Sequence, residues 1–332
     1  MRTTLFWEAF AEAIIKRCIR PEPGDPFLII TDTGNDLGVA EACLAAAIRA
    51  GADAQLIVKE RPTRDTPTEL GPVISNAILG SKFVLTFSDG IEETPAILEA
   101  RSKGMRLLLT DPTGIEDYVV RALLDVDIDA MVHNGEFVVK LWNETELCQV
   151  ISPQGTDVSF QLKPRKALHD DGILTREGEL DFFPGAQVSI APVEESINGT
   201  IVVDASDHVQ GVVHSPYTLT LEKGVITSVE GGKEADMVRE WLESRDDLVY
   251  RLCHFSVGLN PQAGISGNLI EDERKVAAVD FGFGYQDPDL GGSLGMGSYH
   301  WDVMLATPTI ILDGKEMSGG SKLNPEMGFE TV

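Results

Sequence analysis

The sequence predicts an α/β N-terminal domain with an open, mainly parallel sheet over residues 1–147, followed by a β-rich α+β C-terminal domain over residues 148–332. Two observations predict it. Residues 1–147 alternate short apolar runs with segments of helical period, the grammar of β-α-β units. Beyond residue 148 the pattern changes to short strands of alternating polarity separated by turn residues. A chain of 332 residues has room for both cores.

The elements follow in order. Residues 1–15 are apolar in places, but Glu8 and Glu12 interrupt the run and no small-residue cleavage site follows. They read as an amphipathic helix rather than a secretory signal. Residues 27–31 form a buried-strand run, and the alanine-rich segment 37–50 is a helix stopped by Gly51. Strand 54–58, strand 83–87, helix 94–103 and strand 106–110 repeat the pattern. Because helices separate the strands, they pair in parallel. Asp32-Thr33-Gly34 looks like an aspartic-protease triplet, but between a strand and a helix it reads as turn and cap chemistry. Phe137, Val138, Leu141 and Trp142 have helical spacing after Asn134, so a helix capped by Asn134 closes the first domain.

In the second half, 200–204 is a strand and 217–227 a hairpin turning at Lys223-Gly224. Helix 234–243 carries Met237, Val238 and Trp241 on one face. Residues 282–297 are rich in glycine. No helix or Lys-Ser pair follows them, so a flexible loop or lid is expected there rather than a phosphate cradle. A hairpin over 309–314 ends the pattern.

Lys and Arg number 27 against 53 Asp and Glu, a formal charge of −26 that repels phosphates and anionic lipid headgroups. Nucleic acid and membrane surfaces are therefore excluded as primary partners. No segment has the run of uncharged apolar residues needed to span a bilayer. Cys18, Cys43, Cys148 and Cys253 form no C-x-x-C pair, so reduced thiols and a cytoplasmic location are expected.

His300 and Asp302 are two residues apart in a strand-like run and so share a face. Imidazole plus carboxylate at this spacing suits half of a divalent-metal site. His254, in an otherwise apolar run, needs a polar partner and is the best third ligand. The residues alone leave two readings open, a metal triad or hydrogen-bonded structural side chains.

A run of ordered motifs weighs toward the first. The runs are 183–188, 191–200, 221–226, 230–232, Gly258-Leu-Asn-Pro261, His300-Trp-Asp302 and 311–314. In them the C-terminal half resembles the 2,5-dihydroxypyridine 5,6-dioxygenases and, more distantly, the metallo-aminopeptidases of the aminopeptidase T type. The N-terminal domain matches more weakly. Gln187 stands where the resembling peptidases have a carboxylate that helps hold two metals, and His254 where they have a glutamate. The resemblance implies a mononuclear Fe(II) site, with Zn or no metal as alternatives, held by His254, His300 and Asp302. The activity it implies is ring opening of a small hydroxylated N-heteroaromatic by O2.

The histidines such enzymes bring to the substrate are absent from 87–90 and 181–183. His169 and His214 are the expected substitutes for proton transfer. Asp280 stands near a peptidase histidine ligand and, with Gln187, is expected to support the ligands from outside. Tyr217, Phe255 and Trp301 are the rings expected to stack on an aromatic substrate. A non-catalytic peptide-binding protein of a ribosomal-peptide pathway is the alternative function, and an aminopeptidase-like hydrolase the third. The expected partners are accordingly a small aromatic substrate with O2, or a precursor peptide, and further copies of the chain in a homo-oligomer.

Overall fold

The computed structural model describes residues 4–61, 70–88, 90–92 and 94–332. The chain forms two compact units, residues 1–125 with 171–185, and residues 126–170 with 186–332. This differs from a single cut at 147/148 in two ways. The helix expected to close the first domain belongs to the second unit, and the segment 171–185 returns to the first.

The first unit is built on five parallel strands in the order Asp53–Lys59, Pro26–Asp32, Phe83–Thr86, Arg106–Leu109 and Leu180–Phe182. The interior strand Pro26–Asp32 is buried from Phe27 onward, as its unbroken apolar run requires. Helices Leu37–Arg49, Pro72–Leu79, Pro95–Ser102 and Glu116–Leu124 connect or flank the strands. Asp36 caps the first of these by accepting from the Gly38 amide at 3.1 Å. The Asp32 carboxylate accepts from the Gly34 amide at 2.8 Å, the turn chemistry expected of that triplet. At the N-terminus, helix Thr4–Ala13 runs into a π-helical turn, Ile14–Ile19; residues 1–3 of the expected amphipathic helix lie outside the described residues.

The second unit holds two antiparallel sheets. One has eight strands, in the order Val225–Glu230, Tyr217–Glu222, Asn198–Val203, Asp157–Gln161, Leu147–Ile151, Thr309–Leu312, Lys315–Gly319 and Lys322–Leu323. Lys223 and Gly224 both adopt positive φ, 49° and 75°, as a tight hairpin turn demands. The other has seven, in the order Gly211–Val212, Ser206–Asp207, His300–Leu305, Val279–Gly284, Leu252–Gly258, Gln187–Ile190 and Leu168–Asp170. Gly282 and Gly284 thus belong to a central strand of this sheet, not to a loop.

Helix Ile128–Glu144 begins at Asp127, whose carboxylate accepts from the Ala130 amide at 3.1 Å. Asn134, expected as the cap, lies inside the helix. It is fully buried and exchanges two hydrogen bonds with the Glu330 backbone, at 2.9 and 2.8 Å. Its amide thus satisfies the C-terminal tail rather than a helix end. Among the described residues, no helix is long and apolar enough to cross a membrane. All four cysteines are free and buried.

Candidate metal centre

Three adjacent strands of the seven-stranded sheet position the site. In their register His254 faces Gly282, which faces Asp302, while Ser256 faces Asp280, which faces Met304. Residues opposite one another in an antiparallel pair point to the same side, and alternation along each strand does the rest. One side therefore carries His254, Ser256, Asp280, Gly282, Gly284, His300 and Asp302. The other carries Phe255, Val257, Val279, Phe281, Phe283, Trp301 and Val303, all fully buried. Burial of the apolar side fixes the register, because a one-residue slip would exchange the two faces. Polar side chains are thereby forced together.

They converge closely. His300 Nε2 lies 3.0 Å from Asp302 Oδ1, and His254 Nε2 lies 3.5 Å from the same oxygen. Asp302 Oδ1 makes no aligned hydrogen bond. His254 Nε2 also lies 2.6 Å from Asp280 Oδ2, whose companion Oδ1 is buried without a partner. The two imidazoles stack with centroids 5.1 Å apart and planes at 22°. At their other edges, Cys253 Sγ lies 3.8 Å from His254 Nδ1 and 3.7 Å from His300 Nδ1, which hydrogen-bonds the Tyr285 carbonyl at 2.9 Å. The histidine side chains keep 14% and 22% exposure against 1% for Asp280, so the cluster opens on the imidazole side.

The electrostatics favour a cation. Burial lowers the pKa of both imidazoles, but Asp280 beside His254 and Asp302 beside His300 outweigh it and hold both well above the ordinary value. Burial raises Asp302, yet His300 and then His254 hold it below the usual carboxylate range. Asp280 is pushed up by burial and by the charge of Asp302. Glu273 is pushed up to about 8, by burial first and further by Asp280 and Asp302, against the pull of Arg274. Three carboxyls thus surround two imidazoles, with buried acceptor atoms unpaired. Both Nε2 atoms approach Asp302 Oδ1, and among the described residues the groups whose donor atoms all lie within 4.8 Å of one another are Cys253 with His254 and His300, and His254 with Asp280 and Asp302; nitrogen with oxygen donors suits a divalent first-row metal. The residues present fit a mononuclear metal.

Residues 6–323 match the family model of the 2,5-dihydroxypyridine 5,6-dioxygenases. The chain belongs to that family. It is 25% identical over 320 residues to the 2,5-dihydroxypyridine 5,6-dioxygenase of Pseudomonas putida KT2440, covering 88% of this chain and 89% of the relative. The solved structure of the dihydroxypyridine dioxygenase from Pseudomonas putida KT2440 superposes with a TM-score of 0.82 at 21% identity, over 98% of both chains. AmpT from Thermus thermophilus shares the fold, with a TM-score of 0.68 at 16% identity over 96% of this chain and 99% of that one.

Within this family member the other expected site residues, Asp280 apart, have surroundings of their own. His169 stands opposite Val188 in the register, on the apolar side of the sheet, and its ring packs on Gly135 so closely that a Cβ there would come within 2.1 Å. Burial pushes its pKa down to about 4. The residue is half-buried, with Nε2 enclosed and without a hydrogen-bond partner. His214 is exposed on a loop whose backbone amide donates to Glu234 at 3.0 Å.

The three rings expected to stack on substrate are core. Phe255 stacks on Trp142 at 4.7 Å, and Trp301 packs on Phe283 at 5.3 Å. Tyr217 is buried with its hydroxyl donating to Asp207 at 2.8 Å. All three are buried in the core, Phe255 and Trp301 on the apolar side of the seven-stranded sheet and Tyr217 in the eight-stranded one. Gln187 is buried opposite Gly258 and Asp170, near the sheet edge. Asp280 touches a triad residue directly.

Three neighbours of the cluster were not expected from the sequence: Cys253, Glu273 and Tyr285, whose ring lies 4.9 Å from that of His300. Glu273 sits in the charge run 271–275, which reads as a solvated face. Gly258 explains how that segment comes close to the strand. A Cβ at Gly258 would come within 2.5 Å of the Glu273 carbonyl oxygen, so only glycine lets that segment run against the strand end. The expected flexible loop is fastened at several points. Gln286 donates to the Cys253 carbonyl at 2.6 Å and accepts from the Leu294 amide at 3.2 Å. Glu194 accepts from the Ser293 amide at 2.7 Å, and Arg165 from its side donates to Glu194 and to the Gly291 carbonyl.

Proposed function

We propose that this chain is a non-haem Fe(II) dioxygenase that opens the ring of a small hydroxylated N-heteroaromatic of the dihydroxypyridine type. The observation that carries the reading is the approach of two imidazole nitrogens to one carboxylate oxygen, His300 Nε2 at 3.0 Å and His254 Nε2 at 3.5 Å from Asp302 Oδ1, in a chain of the dihydroxypyridine dioxygenase family. Those three residues would hold the iron. Two neutral imidazoles and one carboxylate leave Fe(II) a net positive charge and open positions, where it supplies the means to chelate an enolic substrate and to activate O2.

The chain's own groups do the rest. The Tyr285 carbonyl accepts from His300 Nδ1 and thereby turns its Nε2 toward the shared point. Asp280, whose Oδ2 lies 2.6 Å from His254 Nε2, would take up the proton that this imidazole gives up when it binds a metal. The apolar side of the sheet keeps water out from behind.

The test is anaerobic purification followed by metal analysis and oxygen uptake. About one iron per chain is expected from a single triad, with O2 consumed on adding 2,5-dihydroxypyridine and both lost in His300→Ala. Iron-loaded protein that leaves O2 untouched with every hydroxypyridine overturns the oxygenase. Release of amino acids from short peptides by zinc-loaded protein points to a hydrolase instead.

A further inference from the structure

We infer that Cys253 is a positioning residue: its sulfur accepts the Nδ1–H of His254 and so holds the opposite ring nitrogen, Nε2, toward the point shared with His300 and Asp302. The inference deepens the metal reading above and rests on it. A metal-binding imidazole needs a partner at its other nitrogen to fix its tautomer and its rotation, and that partner is commonly a carboxylate or a carbonyl. His300 has one, the Tyr285 carbonyl at 2.9 Å. At His254 Nδ1 the sulfur of the preceding residue takes that place, at 3.8 Å.

Consecutive strand residues ordinarily point to opposite faces, so Cys253 should face away from His254. A register shift between Leu252 and His254 removes that constraint by making Cys253 the extra residue of a β-bulge, and bulges re-aim side chains. The bulge is held in place. Gln286 donates to the Cys253 carbonyl at 2.6 Å, which fixes the backbone from which the thiol projects. Cys253 is 1% exposed, so water does not compete for His254 Nδ1. The same sulfur lies 3.7 Å from His300 Nδ1, so it touches both imidazoles at their Nδ1 edges.

Cobalt(II) titration of the full-length metal-free protein tests this, using Cys253→Ala and Cys253→Ser beside the parent and reading the affinity and the visible ligand-field spectrum of the bound ion. The expected result is a loss of about 10- to 100-fold in Co(II) affinity for Cys253→Ala, with an altered spectrum, because outer partners of metal ligands are typically worth that much. The serine hydroxyl can still accept from Nδ1–H, so Cys253→Ser should recover most of the loss. Equal losses in the two variants, or none in either, overturn the inference. A sulfur-to-cobalt charge-transfer band in the parent also overturns it, because the thiol is then a ligand itself. A parent that binds no Co(II) overturns the metal reading, and this inference with it.

Discussion

Gly282 and His254 face each other across adjacent strands, and the imidazole of His254 fills the space that a Cβ on Gly282 would need. That Cβ would lie 2.2 Å from the ring, far inside van der Waals contact. The glycine is a cradle in the middle of a central strand, a position where glycine otherwise weakens a sheet.

Gly282→Ala should therefore expel His254 from its place. The strand backbone can accept alanine, so secondary structure by circular dichroism should be retained. Metal binding, followed by Co(II) titration, should fall by at least 10-fold, as for other changes that disturb a ligand's setting. Unchanged metal affinity would mean that the His254 ring does not need this niche.

The alternation of Val279-Asp-Phe-Gly-Phe-Gly284 and of His300-Trp-Asp-Val-Met-Leu305 is visible in the sequence, and it is the property that places the acid and imidazole groups on one side of the sheet. His300 and Asp302 were legible for that reason, and His254 as an imidazole in an otherwise apolar run. Three parallel strands of the first unit, Pro26–Asp32, Phe83–Thr86 and Arg106–Leu109, were legible too, since each is a short buried run. What was not legible depends on long-range partners. Asn134 looks like a cap until Glu330, far along the chain, takes both its hydrogen bonds. Glu273 looks solvated until Gly258 lets its segment come close. Tyr217, Phe255 and Trp301 show aromatic character in sequence but not the face of the sheet they occupy. The return of 171–185 to the first unit has no local signal, because a three-residue strand, Leu180–Phe182, is too short to reveal its partner.

Tyr217→Phe separates a structural ring from one that binds substrate. The hydroxyl donates to Asp207 Oδ2 at 2.8 Å in a buried setting, and the same carboxylate accepts from the Val209 and Gln210 amides through Oδ1. Removing a buried hydrogen bond to a charged acceptor costs about 1.5–3 kcal/mol. Urea unfolding should show a loss of that size, while KM for the substrate stays within error of the parent. A raised KM with stability intact would return Tyr217 to the binding site.

Gln286→Leu should loosen the glycine-rich loop where it meets the bulge. Gln286 is 2% exposed, and the substitution leaves the Cys253 carbonyl and the Leu294 amide without their partners. The expected cost is about 1–3 kcal/mol for unpaired buried groups. Hydrogen exchange should quicken at the Leu294 amide while amides of the first unit keep the parent's rates. Uniform acceleration across both units would show a global effect and no special hold on this loop.

His169 makes a pH-dependent contribution whose sign follows from its burial. Its ring is pressed against Gly135 with Nε2 unpartnered, and burial depresses its pKa from 6.5 to about 4. The folded protein thus resists protonating it, whereas the unfolded chain takes up the proton near pH 6.5. A group with a depressed folded pKa stabilises fully above its unfolded value, and this stabilisation is lost as pH falls toward the folded one. Between pH 7 and pH 4.5 the difference amounts to about 2 kcal/mol, from 1.36 kcal/mol per pKa unit. Other groups also titrate in this range, so the comparison must be with His169→Asn, which carries no ionisable ring. Urea unfolding at the two pH values should show the parent losing about 2 kcal/mol more than the variant on acidification. Equal losses would mean that His169 is solvated or paired in solution, and it would then again be available for the proton transfer that its buried position denies it.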